Sequence, residues 1–286
     1  MLSPRAQPLP LNGLLILTID MLTEQGPAIS LAFERAERAV MLAPPRRLHK
    51  DNLVTARSLL YSYVIAGFAE AAVCFFAYCL AFTRHGVSIH ELAFSTDKHA
   101  FWSAPSGDGS AFQAAPSPLD ARRLASNATY AAELAPKRAL PRAYAAAHDG
   151  APVFPPLWVT SDGRVYDAPA QWRIYRESQA AWYLTLIMCQ FWHIWNCRTR
   201  VESIFRHGLF SNVVTVYGAL SAIFVACFVV YLPPFHRPNA FQTTALSALL
   251  WVPHFVFGAY IFTYNEAVKW AVRHRPRSWA ARRLGW

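Results

Sequence analysis

The chain has 286 residues, a hydrophobic fraction of 54%, charged residues at 15% and a formal net charge of +10. Soluble domains carry nearer one quarter charged residues, and the apolar residues here are clustered, so the solvent of this chain is expected to be partly lipid. The basic excess flanks apolar runs, with no zinc-finger spacing and no aromatic-plus-basic RNA-binding motif, which argues against nucleic acid and for membrane orientation.

An irregular N-terminus, residues 1–10, precedes a first apolar run over 11–33 that holds Asp20 and Glu24. Two acids at membrane depth cost about 6 kcal/mol on an insertion scale, against about 4 recovered from the neighbouring aliphatics. This segment therefore needs protein neighbours, water or a cation. Arg5 followed by Leu14-Leu15-Ile16-Leu17 also has the form of a secretory leader. Asp20 interrupts that stretch early and no small-x-small cleavage site follows, so the leader is the weaker reading.

Four further helices are expected over 58–83, 178–197, 212–232 and 243–264, with apolar cores free of Lys and Arg. Pro233-Pro234 stops the third of these, and Trp182, Trp195, Trp251 and Trp270 sit near run ends, where amphipathic rings prefer the headgroup level. Basic residues crowd the loop after the first run (Arg35 to Arg57), the loop at Arg198, Arg200 and Arg206, and the tail 265–286; the positive-inside rule places all three in the cytoplasm. The fold class expected is an all-α membrane protein, a bundle of about five transmembrane helices with the N-terminus outside. A long insertion, 84–177, then lies outside. Its middle, 103–156, is rich in Ala, Pro, Ser and Gly and reads as partly disordered, and Asn127-Ala128-Thr129 is a glycosylation acceptor on the expected outer side. The five cysteines lie in or beside apolar runs, where they pack as small apolar groups.

Asp20 and Glu24 are four apart, so a helix projects both carboxylates from one face. Pro27 stands four residues after Thr23 and deprives its carbonyl of the usual helical donor. Two carboxylates flanking a free carbonyl are oxygen donors of the kind hard cations want, and intramembrane acids are functional candidates. The alternative is a surface turn that never enters the bilayer.

The stretch from Leu17 to Glu34, LTIDMLTEQGPAISLAFE, resembles the sixth membrane helix of Na,K- and H,K-type P-type ATPase α-subunits. Asn196-Cys197-Arg198-Thr199-Arg200 with Ser203-Ile204-Phe205 resembles the turn after that family's eighth helix, and Tyr264-Asn265-Glu266 through Arg273-His274-Arg275-Pro276 to Trp279 the basic end after its tenth. The resemblance implies that the five helices are the sixth to tenth, and that Asp20, Glu24 and Thr23, with Gln190 in the eighth, are ligands of the transported cation. His193 stands where sodium-pumping members commonly have an acid, Gly218 where a ninth-helix acid is expected, and Glu70 where relatives tend to have Gln. His193 and Glu70 are thus further possible members of the site, each with packing as the alternative role. Of the motif that docks the family's accessory β-subunit only Ala170-Gln171-Trp172 remains, and the chain ends Leu284-Gly285-Trp286 in place of paired tyrosines.

No Asp-Lys-Thr-Gly phosphorylation motif, no Thr-Gly-Glu-Ser loop and no Walker-type loop occurs. The chain alone is expected not to hydrolyse ATP; ATP and Mg²⁺ would be used by domains it lacks. The implied role is the C-terminal part of the ion-translocating membrane domain of an ATP-driven pump, exporting Na⁺ or H⁺ for K⁺. Its expected partners are the lipid bilayer and the remainder of the pump, and the location implied is the plasma membrane. The alternative is a non-enzymatic, stand-alone membrane protein that packs against a pump or another partner.

Overall fold

In the computed structural model the described residues are 10–37, 54–89, 92, 158–160, 164–166, 168–236, 240–275 and 277–279. The irregular N-terminus, the sequon at Asn127 with the surrounding insertion, and the last residues of the tail lie outside them. The chain divides into two units, Met1–Leu9 with Ala81–Glu177, and Pro10–Leu80 with Ser178–Trp286.

Helix dominates, in the order α1 Gly13–Thr18, α2 Gln25–Ser30, α3 Ala56–Leu59, α4 Phe68–Arg84, α5 Ala168–Cys197, α6 Ile204–His207, α7 Val213–Tyr231 and α8 Pro253–His274. Wider π turns join α1 to α2 over Ile19–Thr23 and α3 to α4 over Leu60–Gly67. Two continuous stretches, Ala56–Arg84 and Val213–Tyr231, are long and apolar enough to cross a membrane. The outward faces of the helices carry large apolar side chains, among them Leu17, Met21 and Phe33 on the first segment, Phe68 and Phe76 on α4, and Tyr217 and Phe224 on α7. So much exposed apolar surface is rare on a protein surrounded by water.

Three helix limits depart from the apolar runs, because composition marks where lipid would be and not where hydrogen bonding stops. α5 starts at Ala168, within what the sequence assigned to the outer insertion. α8 starts at Pro253, whose fixed φ suits a first helical position. Residues 243–247 carry no regular secondary structure, a 3-10 turn over Ala248–Trp251 follows, and the helix runs on to His274, within the segment read as tail.

Among the described residues the first unit holds one departure from helix, an antiparallel pair of two-residue strands, β1 Trp158–Val159 and β2 Val165–Tyr166. Tyr166 Oη donates to the carbonyl of His85 (2.7 Å), and Glu177 accepts from Arg84 (3.0 Å) and pairs with His85 Nε2 (2.8 Å). Gln171 Nε2 donates to the Tyr166 carbonyl (3.0 Å), and both Gln171 and Trp172 are buried.

In the second unit α7 begins on Asn212, whose side chain accepts from the amides of Val214 and Thr215. Its buried face, Thr215, Ala219, Ala222 and Ala226, is small at every step of three or four residues and packs against α2. The turn between α5 and α7 is clasped from both sides. Arg198, its side chain fully buried, donates through Nε (2.8 Å) and Nη2 (2.9 Å) to the two oxygens of Glu34, through Nη1 to the Leu209 carbonyl (2.5 Å) and through Nη2 to Ser211 (2.7 Å). Glu34 also accepts from Asn212 (3.0 Å) and pairs with His207 Nε2 (2.9 Å). Glu37 accepts the amides of Arg200, Val201 and Glu202, and Glu266 that of Ile204. Lys269 Nζ donates to the Asn196 carbonyl (3.3 Å) and Thr199 Oγ1 (2.9 Å), capping the negative end of α5 with a cation.

Burial raises the Glu34 carboxyl's affinity for a proton, but the hydrogen bonds from Arg198, Asn212 and His207 outweigh it and bring the pKa to about 2. A depressed carboxylate contributes stability that is complete above its unfolded pKa and lost as pH falls through the folded one. Thermal unfolding in detergent should therefore show a midpoint steady above pH 4.5 or so and falling toward about pH 2, a step that Glu34→Gln removes.

Candidate cation site

Pro27 has no N–H to give the carbonyl of Thr23, and its ring crowds that carbonyl. The helix answers by widening just before it. The amide of Glu24 donates to Ile19 (3.1 Å), five residues back, and Thr23 Oγ1 donates to the same carbonyl (3.0 Å). The amide of Ala28 then returns to Glu24 (3.0 Å) and resumes the α pattern. Such π turns recur at functional sites because they offer backbone groups and side chains out of the ordinary phase.

The cavity takes one of the two acids and not the other. Glu24 and Thr23 line a cavity of about 260 Å³ together with Pro27, Gln190, His193, Cys197 and the small residues Ala219 and Ala222. Across it Gln190 Nε2 donates to Glu24 Oε1 at 2.6 Å. Asp20 stands exposed outside that lining, and its backbone carbonyl accepts from Gln25 Nε2 (3.1 Å). Thr23 is buried. The structure thus brings together Thr23, Glu24, Gln190 and His193, and leaves Asp20 apart.

Glu70, on α4, has one carboxyl oxygen buried without a hydrogen-bond partner among the described residues, near enough to Glu24 to feel its charge. His193 Nε2 lies 3.2 Å from Tyr61 Oη, which also accepts from Asn265 Nδ2 (2.9 Å). Tyr61 and Asn265 are the polar residues that sequence reading missed. Tyr61 is one of several tyrosines in an apolar run, and only its depth in the core, at 2% exposure, distinguishes it. Among the described residues no group of three or more His, Cys, Asp or Glu side chains could hold a metal ion by itself. The donors are a carboxylate, a side-chain amide oxygen, a hydroxyl and a helix carbonyl, a set that suits a weakly held, passing cation better than a resident metal.

The family described as cation transporting ATPase, C-terminus, matches residues 8–271. The sodium/potassium-transporting ATPase subunit alpha of Drosophila melanogaster is 25% identical over 272 residues, covering 95% of this chain and 21% of the fly protein. Subunit alpha-B of Artemia franciscana is 26% identical over 272 residues, covering 95% and 22%, and the alpha subunit of Tetronarce californica 24% over 273, covering 95% and 21%. The chain spans about one fifth of the length of these curated relatives.

Proposed function

The chain belongs to the family of cation-transporting ATPase C-termini, and from that premise we propose that it is the C-terminal part of the ion-translocating domain of an ATP-driven monovalent cation pump. The named relatives are sodium/potassium-transporting ATPase subunits, and exchange of Na⁺ or H⁺ outward for K⁺ inward is the activity the resemblance read from the sequence implies. ATP and Mg²⁺ act in portions of such a pump outside these residues. The observation that carries the reading is the Glu24–Gln190 hydrogen bond across a cavity at a broken, acid-bearing helix. Thr23, Glu24 and Gln190 supply oxygens to the transported ion, and Asp20 faces away from them toward ligands on the remainder of the pump. Glu70 is a protonated packing group beside Glu24.

Five crossings with an outer N-terminus agree with the clasp. Glu34 and Glu37, the 198–212 turn, and Glu266 to Arg273 meet on one side, where the positive-inside rule puts all three segments. The plasma membrane is the location this reading favours. The β-subunit is the partner with least support, since only Ala170-Gln171-Trp172 remains of its docking motif.

The test is a complete pump carrying Asp20→Asn and Glu24→Gln. Cation-dependent ATPase activity and rubidium uptake should fall by about 100-fold or more, as expected for loss of two ion-ligating charges worth roughly 3 kcal/mol together. Ion affinity equal to that of the unsubstituted pump would remove the site.

A further inference from the structure

Two residues beyond Gln190, α5 lays the indole of Trp192 on α8. Trp192 Nε1 donates to His254 Nδ1 (3.1 Å), and His254 is 1% exposed. An indole N–H only donates, so Nδ1 accepts and the imidazole carries its hydrogen on Nε2. Four residues on, a β-carbon at Gly258 would lie 2.8 Å from Trp192 Cδ2, 2.9 Å from Cε2 and 3.0 Å from Cγ, so the ring packs on bare backbone there. Four residues further, Phe262 meets the ring edge to face, with centroids 5.9 Å apart. His254, Gly258 and Phe262 thus share one face of α8 and form a slot for the indole, floored by the missing side chain at 258.

None of the residues lining the cavity of the cation site belongs to α8. The slot nevertheless acts on that cavity through α5. An α-helix turns about 100° per residue, so Gln190 and Trp192, two apart, project from nearly opposite sides of α5. Cys189 lies on the α8 side as well, buried in one core with Phe257 and Ile261. With the indole seated, α5 is held against turning about its own axis. Gln190 then faces away from α8 and reaches Glu24 Oε1 at 2.6 Å.

We propose that Trp192 is a positioning residue for the cation site: seated on Gly258 and bonded to His254, it sets the rotation of α5 that presents Gln190 to Glu24. Its functional consequence rests on the cavity being the cation site of the preceding section; the seat itself does not. A change on α8 is then felt at a cavity that α8 does not line.

The experiment is a double-variant cycle in the complete pump, Gly258→Ala against Gln190→Leu, reading apparent cation affinity and the unfolding midpoint. The added methyl group at 258 unseats the indole, so Gly258→Ala alone should weaken affinity by about ten-fold. With Gln190→Leu already present its further effect should fall below about two-fold, because the residue it acts through is gone. Any fall in the unfolding midpoint should be the same in both backgrounds, which separates positioning from general damage. An equal loss of affinity in both backgrounds, no loss from Gly258→Ala alone, or none from Gln190→Leu alone overturns the proposal. Should Gly258→Ala fail to fold, Trp192→Phe, which fills less of the slot and gives up the bond to His254, takes its place in the cycle with the same expectations. The seat itself is read by nitrogen NMR on the full chain in lipid nanodiscs, labelled at histidine, with His254→Gln identifying the signal. The ring should be neutral with an accepting Nδ1 that shifts on Trp192→Phe, and hydrogen on Nδ1 overturns the seat. If the Asp20 and Glu24 variants leave ion affinity unchanged, the cation-site reading has failed; if they lower it and the cycle is additive, the positioning role alone has failed.

Discussion

Replacing Arg198 with methionine is expected to destabilise the folded chain by about 3–5 kcal/mol, the usual consequence of removing one partner of a buried ion pair. The guanidinium is shielded from solvent and makes bonds to Glu34, Leu209 and Ser211 at once. Methionine fills much of the volume but leaves the Glu34 carboxylate with Asn212 and His207 alone. The penalty is mainly that of the stranded charge, which the double variant Arg198→Met, Glu34→Leu exposes. With both charges gone it should recover at least half of the loss, since apolar replacements of a whole buried pair are often near neutral. Unfolding followed by circular dichroism in a mild detergent reads both numbers. A single variant within about 1 kcal/mol of the parent would mean the pair contributes no more than an exposed one does.

Arg198 also shows how little of a residue's role charge counting reads. The sequence offered it as one of several cations marking a cytoplasmic loop. Structurally it is no surface charge but the centre of a clasp, and its partner Glu34 was noticed only as the last letter of a family-like run. Charge counting sees the sign of a residue; pairing across 164 positions depends on a fold that local patterns do not encode. The helices were legible because a 20-residue apolar run needs little context. Their ends were not, since α8 starts where Pro253 permits and stops where Arg275 leaves helical geometry.

At the candidate site the same division holds. Pro27 was enough to foresee a disturbed helix, but the disturbance falls before it as a π turn; Glu24 meets Gln190, while Asp20 lies outside the cavity lining. An i, i+4 argument places both acids on one face but does not say which of them meets a neighbouring helix. Gln190 was found through the family resemblance, while Tyr61 carried no sequence signal and Asn265 only its place in a family-like run.

Gly218 carries the second large effect. A β-carbon built there would lie 2.8 Å from the Gly26 carbonyl oxygen, 3.0 Å from its carbon and 3.2 Å from the nitrogen of Pro27. All three are backbone atoms, and Pro27 stiffens the segment that holds them, so nothing can swing aside. Gly218→Ala should therefore push α7 away from α2, with an overpacking cost of about 1–3 kcal/mol. Gly26→Ala is the internal control. Its β-carbon would meet Ser221 Oγ at 3.1 Å, the end of a side chain that can rotate, with the Gly218 carbonyl at 3.5 Å. The alanine at 218 should thus be the more damaging of the two, and Ser221→Ala should relieve Gly26→Ala but not Gly218→Ala. Equal unfolding midpoints for the two alanine variants would contradict the contact. Since Glu24 stands two residues before Gly26, the displacement also loosens its 2.6 Å bond to Gln190. In the complete pump Gly218→Ala should weaken apparent cation affinity by about ten-fold, the equivalent of 1.4 kcal/mol. Position 218 has no room for the acid that family resemblance would place there, because the backbone of Gly26 and Pro27 occupies that space.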